Sequence, residues 1–263
     1  MTSFADRYGE WAVIAGASEG LGLAFASALA SRKLNVVLLA RRQDALEKAA
    51  ASIRQVHRVE VRTVPCDLSN ANFVDALKSA TDDLEVGLAI FNAGYSFIGE
   101  TLSLPLERAL RVVEVNCMGP LRLAHALVPK MIERKRGGLV LMSSIAGYQG
   151  GPRLAPYAAS KAFNRILAEG LWSELSESGV DVLASCPGAI RTPNYLKTTD
   201  KEAPGTMDAS AVAEDTLVAL AERRGPTKII GVVNRLASAF LGVLPRTAAI
   251  AIMKSGTADL RGE

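Results

Sequence analysis

The chain has 263 residues, of which 49% are hydrophobic and 22% charged, and its 30 basic and 27 acidic side chains leave a formal net charge of +3. This composition is typical of a globular protein with a sizeable core, and the scattered charges argue against the concentrated basic surface of a nucleic-acid-binding protein. Three separate cysteines, Cys66, Cys117 and Cys186, form no CxxC pair and predict reduced thiols in the cytoplasm.

The start of the chain, MTSFADRYGEW, lacks the apolar centre of a signal peptide. No uninterrupted run reaches the roughly 20 apolar residues that a membrane span needs. We therefore expect a cytoplasmic protein without a transmembrane segment.

Short apolar runs recur along the chain, and a segment with helical character follows each of them. Most runs are almost continuously apolar, as expected of strands in a parallel sheet that helices cover on both faces. The alternation predicts a Rossmann-like, doubly wound α/β fold of about seven parallel strands, in a single domain over residues 1–263. The predicted strands are residues 11–16, 35–40, 59–64, 87–92, 138–143, 180–185 and 228–233.

The first predicted strand ends at Gly16, and Gly20 and Gly22 follow where the next helix begins. Glycine lets the backbone turn tightly and approach a phosphate, and the N-terminus of a helix binds anions. In α/β sheets this first turn is where a dinucleotide phosphate binds. The spacing G-x-x-x-G-x-G differs from the common G-x-G-x-x-G, and close strand–helix packing is the alternative interpretation.

The second predicted strand ends at Arg41 and Arg42. An enzyme that uses NAD usually has an acidic residue at this place, which bonds the ribose 2′-hydroxyl. A guanidinium group instead binds a 2′-phosphate, so the arginines favour NADP(H). The alternatives are a merely solvated helix start, and Asp44 one turn later as the ribose ligand.

Tyr157 and Lys161 are four residues apart, so that on a helix they share one face. A free tyrosine titrates near pH 10, and a neighbouring ammonium group favours the phenolate and lowers that pKa. The pair therefore predicts a general acid and base. Ser144 follows the fifth predicted strand, at the sheet edge where ligands of this fold bind.

Together these motifs resemble the classical short-chain dehydrogenase/reductase family over about residues 10–233. Ala15 stands where the family usually has threonine, and Phe91 where a second asparagine is frequent. The matching motifs are Gly16-x-x-x-Gly20-x-Gly22, Asp67-Leu68, Asn92-Ala93-Gly94, Asn116, Ser144, Tyr157-x-x-x-Lys161 and Pro187-Gly188-Ala189-Ile190-Arg191-Thr192.

The resemblance implies a role for each active-site residue. Tyr157 would exchange a proton with the substrate oxygen, Ser144 would bond that oxygen, and Asn116 would support a water relay. Lys161 would hold the nicotinamide ribose and lower the pKa of Tyr157. Ser143 is the rival of Ser144, which is preferred on family spacing alone. The expected cofactor-binding residues are Gly16, Ser18, Gly20, Leu21, Gly22, Arg41, Arg42, Asp67, Leu68, Asn92, Ala93, Gly94, Tyr157, Lys161, Pro187, Gly188, Ile190 and Thr192.

Two segments are less regular. Residues 188–210 contain two prolines and two glycines, and they predict a long, partly mobile substrate loop. Residues 234–256 are strongly apolar and could form core, a lid over the substrate, a subunit contact or a peripheral membrane contact. Leu236, Phe240 and Leu244 recur every four residues and would form an apolar wall of the substrate pocket.

The predicted function is that of an NADP(H)-dependent oxidoreductase that interconverts a carbonyl group and a secondary alcohol on an apolar small molecule. By resemblance the protein is a homodimer or homotetramer, and no metal site is expected because His57 and His125 lack further ligands at metal spacing. A 3-oxoacyl (fatty-acyl) reductase is the first alternative. The second is a non-catalytic dinucleotide-binding regulator, which would not need the set Ser144, Tyr157 and Lys161.

Overall fold

The computed structural model describes residues 3–258, 260 and 261. Its strands are β1 Trp11–Ala15, β2 Asn35–Ala40, β3 Val61–Pro65, β4 Val86–Phe91, β5 Gly137–Met142, β6 Val180–Cys186, β7 Ile190–Arg191, β8 Met207–Asp208 and β9 Thr227–Ile229. Seven of them form one parallel sheet in the order β3-β2-β1-β4-β5-β6-β9, and β7 and β8 pair separately. The predicted α/β fold is confirmed.

Helices cover both faces of this sheet. They are α1 Phe4–Tyr8, α2 Gly20–Ser31, α3 Gln43–His57, α4 Phe73–Thr81, α5 Leu106–Val113, α6 Gly119–Glu133, α7 Ala155–Glu174, α8 Pro193–Thr198, α9 Ala209–Ala221, α10 Val232–Val243 and α11 Arg246–Ala258. Short 3₁₀ turns lie at Thr101–Ser103 and Ile145–Tyr148, and a π-helical turn lies at Glu114–Met118. No helix in the described part of the chain is long and apolar enough to cross a membrane.

The core has two halves, one on each face of the sheet. Ile14 of β1 packs in one half with Phe25 of α2 and Leu217 of α9. Its neighbour Val13 belongs to the other half, together with Leu123 of α6. Because successive strand residues point to opposite faces and both faces are buried, the strands read as continuous apolar runs.

The strand order reverses between β1 and β4, so the chain continues from these two strands toward opposite sides of the sheet. This leaves a crevice at the carboxyl edge of the sheet. Short bonds fix this edge, since the backbone N–H groups of Asn92 and Ala93 both donate to the Ala15 carbonyl. The Asn92 side chain also donates to the Gly16 carbonyl over 2.8 Å. The glycine turn and the end of β4 are therefore held together.

The prediction of the last strand, residues 228–233, is wrong at its carboxyl end. Strand β9 ends at Ile229, and the chain changes direction at Gly231, which has a φ of +87°. Val232 and Val233 then begin α10, and both are exposed. A short apolar run fits a strand or a helix equally well by periodicity, so the sequence did not locate this boundary.

Residues 188–210 are more regular than the predicted loop, since they contain β7, α8 and β8. The Arg191 guanidinium bonds both Glu202 and Asp208, at 2.6 and 2.8 Å, and so ties the start of this segment to its end. Thr192 caps α8 by accepting the Tyr195 N–H. These contacts join residues up to 17 positions apart in the chain, which local sequence patterns do not reveal.

The apolar C-terminal segment forms α10 and α11. None of the three residues expected to form an apolar wall, Leu236, Phe240 and Leu244, lines the cavity described below, and Leu236 and Phe240 are 68% and 59% exposed. Asn234 is instead the buried residue of α10. Helix α11 lies against the segment before α7, where the Arg246 guanidinium donates to the Tyr148 carbonyl over 2.8 Å.

Candidate active site

A cavity of about 570 Å³ lies at the carboxyl edge of the sheet. Every predicted catalytic or cofactor-binding residue lines it except Gly22 and Asn116. The lining residues not predicted are Glu19, Ala40, Tyr95, Ser96, Arg111, Val115, Met142, Ser143, Pro193 and Asn194. The residues predicted from separate motifs are thus brought to one place.

The glycine turn explains why Gly22 lies outside the lining. A Cβ at Gly22 would lie 1.9 Å from the Gly16 carbonyl oxygen, so glycine is required for packing between the turn and α2. Gly16 and Gly20 have φ values of +85° and +57°, which favour glycine. Glu19 at the N-cap makes no side-chain capping bond, so first-turn N–H groups of α2 remain available to an anion.

Charged groups gather at the end of the cavity next to β2. Arg41 and Arg42 are both exposed, and Arg42 forms an ion pair of 2.8 Å with Glu19. Burial raises the pKa of Asp67, but hydrogen bonds from Ser69 and the charges of Arg111 and Arg41 outweigh it, so the pKa lies below its ordinary value. This end combines guanidinium groups with an ionised carboxylate, a donor and acceptor set that fits the phosphate and ribose of a dinucleotide.

Ser144, Tyr157 and Lys161 lie at the other end, between the end of β5 and the first turns of α7. The Lys161 Nζ donates to the Met142 carbonyl over 2.9 Å and lies 5.5 Å from the centroid of the Tyr157 ring. Ser143 donates to the Lys161 carbonyl over 2.7 Å, and its hydroxyl is therefore engaged in holding α7. The Ser144 hydroxyl has a long contact of 3.4 Å to the Pro187 carbonyl and a side-chain hydrogen bond to Tyr157, which favours Ser144 as the residue that bonds a ligand beside Tyr157.

The titration behaviour of the pair differs from the sequence expectation. Burial raises the pKa of Tyr157, and the Ser144 hydroxyl acts in the opposite direction to a smaller extent. Burial also lowers the pKa of Lys161 to about 8. Burial of both groups has a larger effect than the charge of Lys161, on which the expectation rested.

The buried ammonium group makes Lys161 a source of instability. We expect Lys161→Met to raise the free energy of unfolding at pH 7 by about 1–2 kcal/mol. The variant removes the cost of burying a charge, at about 1.4 kcal/mol for each unit by which the pKa is lowered, and the loss of the bond to Met142 offsets part of this gain. Below pH 8 Lys161 is charged in both states and the folded state bears the cost of burial. Between pH 8 and its ordinary pKa of 10.5 the unfolded chain binds more protons, so wild-type stability from this group rises with pH.

Urea unfolding of both proteins at pH 7 and pH 10 measures this effect. The advantage of Lys161→Met should shrink at the higher pH. The control is Lys78→Met, an exposed lysine on α4, which should change stability little at either pH. A variant less stable than wild type at pH 7 would contradict the prediction.

Asn116 lies directly behind the lining and is fully buried. Its Oδ1 accepts the Tyr95 N–H over 2.8 Å, and its Nδ2 donates to the Ser160 hydroxyl over 2.9 Å. It sits in the π-helical turn just before Gly119 and Pro120.

Arg111 is the most informative of the residues that were not predicted. Its guanidinium lies 3.4 Å from Asp67 and 5.4 Å from the centre of the Tyr95 ring. It precedes Val115, which also lines the cavity, by one helical turn. Arg111 lies five residues before Asn116, which is not the spacing of three or four that places side chains on one helical face, so no signal in the sequence indicated it.

Comparison with known proteins agrees with this geometry. A model of the family described as short chain dehydrogenase matches residues 10–203. A 7beta-hydroxysteroid dehydrogenase of Clostridium sardiniense is 32% identical over 235 residues, covering 89% of this chain and 90% of its own. The very-long-chain 3-oxoacyl-CoA reductase of Mus musculus is 31% identical over 213 residues, covering 78% and 68%.

Two solved structures are similar over almost the whole chain. A 7beta-hydroxysteroid dehydrogenase has a TM-score of 0.89 at 26% identity, and the match covers 96% of this chain and 99% of that one. A short-chain dehydrogenase from Sphingobium yanoikuyae in complex with NADPH has a TM-score of 0.80 at 29% identity, with coverage of 95% and 96%. The family match, the relatives and the site together show that the chain belongs to the short chain dehydrogenase family of oxidoreductases, which bind a nicotinamide dinucleotide.

Proposed function

We propose that the protein is an NADP(H)-dependent oxidoreductase that interconverts an apolar ketone and a secondary alcohol. One observation carries the proposal: a single cavity has Ser144, Tyr157 and Lys161 at one end and Arg41 at the other. A proton donor and a cationic 2′-phosphate site are thus separated by the glycine turn that suits the pyrophosphate.

The bound nicotinamide supplies or accepts the hydride, and the protein residues handle the proton. The Tyr157 hydroxyl gives its proton to the carbonyl oxygen during reduction, and the phenolate takes a proton from the alcohol during oxidation. The raised pKa of Tyr157 keeps the hydroxyl protonated for reduction at neutral pH. Ser144 donates a hydrogen bond to the same oxygen and stabilises the negative charge that develops there.

Lys161 and Asn116 belong to the route by which the Tyr157 phenolate regains a proton after reduction. The ammonium group beside the Tyr157 ring favours the phenolate formed after reduction, and it binds the ribose hydroxyls of the cofactor. Asn116 supports a water relay that connects Lys161 to solvent, as the family resemblance implies. Asn116 therefore acts by positioning and hydration, because its side chain is engaged with Tyr95 and Ser160.

The substrate class follows from the relatives and the lining. The relatives act on hydroxysteroids and on 3-oxoacyl-CoA, both of which are large and mostly apolar. Val115, Ile190 and Pro193 contribute apolar surface to the cavity of this chain. A ketosteroid-like ring ketone is the first candidate, and a 3-oxoacyl thioester is the alternative that the second group of relatives favours.

The protein acts in the cytoplasm as a homodimer or homotetramer. Exposed apolar residues on α5 and α7, including Leu110, Val113, Ile166 and Trp172, provide surface for subunit contact. Their burial in an oligomer would also place α7, which carries the catalytic pair, in a rigid environment.

The decisive experiment measures oxidation of NADPH and NADH with a panel of ring ketones, aliphatic ketones and 3-oxoacyl thioesters. We expect turnover with NADPH and an apolar ketone, and turnover lower by about 10²–10⁴-fold with Tyr157→Phe under the same conditions. Turnover confined to 3-oxoacyl thioesters favours the alternative substrate class. Tight NADPH binding without turnover on any compound would instead identify a dinucleotide-binding regulator.

A further inference from the structure

The side chain of Asn234 connects three backbone segments beside the active site. It lies in the first turn of α10 and is 3% exposed. Its Nδ2 donates to the Gly205 carbonyl over 3.1 Å and to the Ile230 carbonyl over 2.9 Å. A buried amide with two such bonds holds the backbone groups that it contacts in fixed relation.

Three glycines allow the backbone to approach the Asn234 side chain closely. A Cβ at Gly188 would lie 2.5 Å from the Asn234 Oδ1, and a Cβ at Gly205 would lie 2.6 Å from the same atom. Gly231, with a φ of +87°, would place a Cβ 3.2 Å from the Nδ2. The amide is therefore packed directly against the backbone at all three positions.

Two of these segments belong to the cavity. Gly188 and its neighbour Pro187 line it, and the Pro187 carbonyl accepts the Ile145 N–H at 3.0 Å, next to Ser144. The residues 192–206, called the substrate segment here, line it through Thr192 and Pro193 and turn back at Gly205. Asn234 lies between the Pro187–Gly188 turn and the far end of this segment.

We propose that Asn234 is a positioning residue for the reaction proposed above, because its side chain fixes the substrate segment against the Pro187–Gly188 turn. It touches neither Tyr157 nor the adenine end of the cavity. Its loss therefore affects the placement of the substrate more than proton transfer. The kinetic consequence of this inference rests on the proposed function. The contact between Asn234 and the substrate segment rests on the structure alone.

The test replaces the amide by an apolar group of similar size in Asn234→Leu. We expect the KM for the carbonyl substrate to rise about tenfold, with kcat changed less than threefold, since two hydrogen bonds are lost. Hydrogen exchange measured by mass spectrometry should be about tenfold faster at the amides of residues 199–206. Asn234→Ser, with a shorter polar side chain, takes its place if the leucine variant does not fold, and the same changes are expected.

The matched control is Thr81→Val on α4, which also removes a buried hydrogen-bonding group, the hydroxyl that donates to the Leu77 carbonyl over 2.8 Å. It should lower stability without raising the KM or the exchange of residues 199–206. Unchanged exchange and KM in the Asn234 variants would overturn the proposal, as would changes equal to those in the control. If wild type reduces no carbonyl compound, the proposed function fails, and the exchange measurement still decides whether Asn234 holds the substrate segment.

Discussion

Tyr157→Phe is expected to lower kcat by about 10²–10⁴-fold, the usual contribution of general acid and base catalysis. The variant lacks only the hydroxyl that carries the proton, so NADPH binding and folding should remain nearly as in wild type. The pH dependence should also change, because the group with the raised pKa is absent. Single-turnover measurements of NADPH oxidation separate this loss from product release.

Tyr8→Phe is the matched control for the tyrosine variant. The Tyr8 hydroxyl is buried and donates to Asp181 over 2.9 Å, at the amino edge of the sheet and away from the cavity. Its removal should cost some stability and leave kcat unchanged. Wild-type turnover in Tyr157→Phe, under conditions in which chemistry limits the rate, would show that another group delivers the proton.

Arg41→Asp is expected to weaken NADPH binding by about 10- to 150-fold, which corresponds to the loss of a charge-assisted contact worth roughly 1.5–3 kcal/mol. The new carboxylate repels a 2′-phosphate and bonds a free 2′-hydroxyl, so affinity for NADH should stay the same or increase. Fluorescence titration of both cofactors, at one salt concentration, measures the change in preference.

Arg42→Asp gives the comparison within the same pair of residues. Arg42 is already paired with Glu19, so its guanidinium is less available to a phosphate than that of Arg41. We expect a smaller loss of NADPH affinity in this variant. A wild-type preference for NADH, or equal effects of the two substitutions, would remove Arg41 from the role of main phosphate ligand.

The sheet was predictable because burial on both faces leaves a simple pattern. Strands such as β2 and β5 are apolar throughout and end at polar or small residues, so their positions agree with prediction to within one residue. The end of β9 was not predictable, since Val232 and Val233 suit a strand and only Gly231 changes the chain direction. The regular structure within residues 188–210 depends on ion pairs of Arg191 with Glu202 and Asp208, which are 11 and 17 residues away in the chain.

The candidate site was predictable where a motif marks it, as at Tyr157 and Lys161. The direction of the Tyr157 pKa was not, because it depends on how deeply the fold buries the hydroxyl. Arg111 carries no motif, and its place beside Asp67 follows from the course of α5 across the cavity. The same holds for Asn234, because two of the glycines packed against it, Gly188 and Gly205, are distant in sequence.

The pairing of β1 with β4 also affects how the chain assembles. These strands are adjacent in the sheet but separated by residues 16–85, and closing so long a loop costs chain entropy before any contact is gained. Such non-local parallel pairing slows folding. The crevice between Gly16 and Ala93 exists only once this step is complete, so a dinucleotide binds the folded chain alone. At 100 times its Kd it would shift the folding equilibrium by about 2.7 kcal/mol toward the folded chain, so the supply of cofactor also sets the fraction of the protein that is folded.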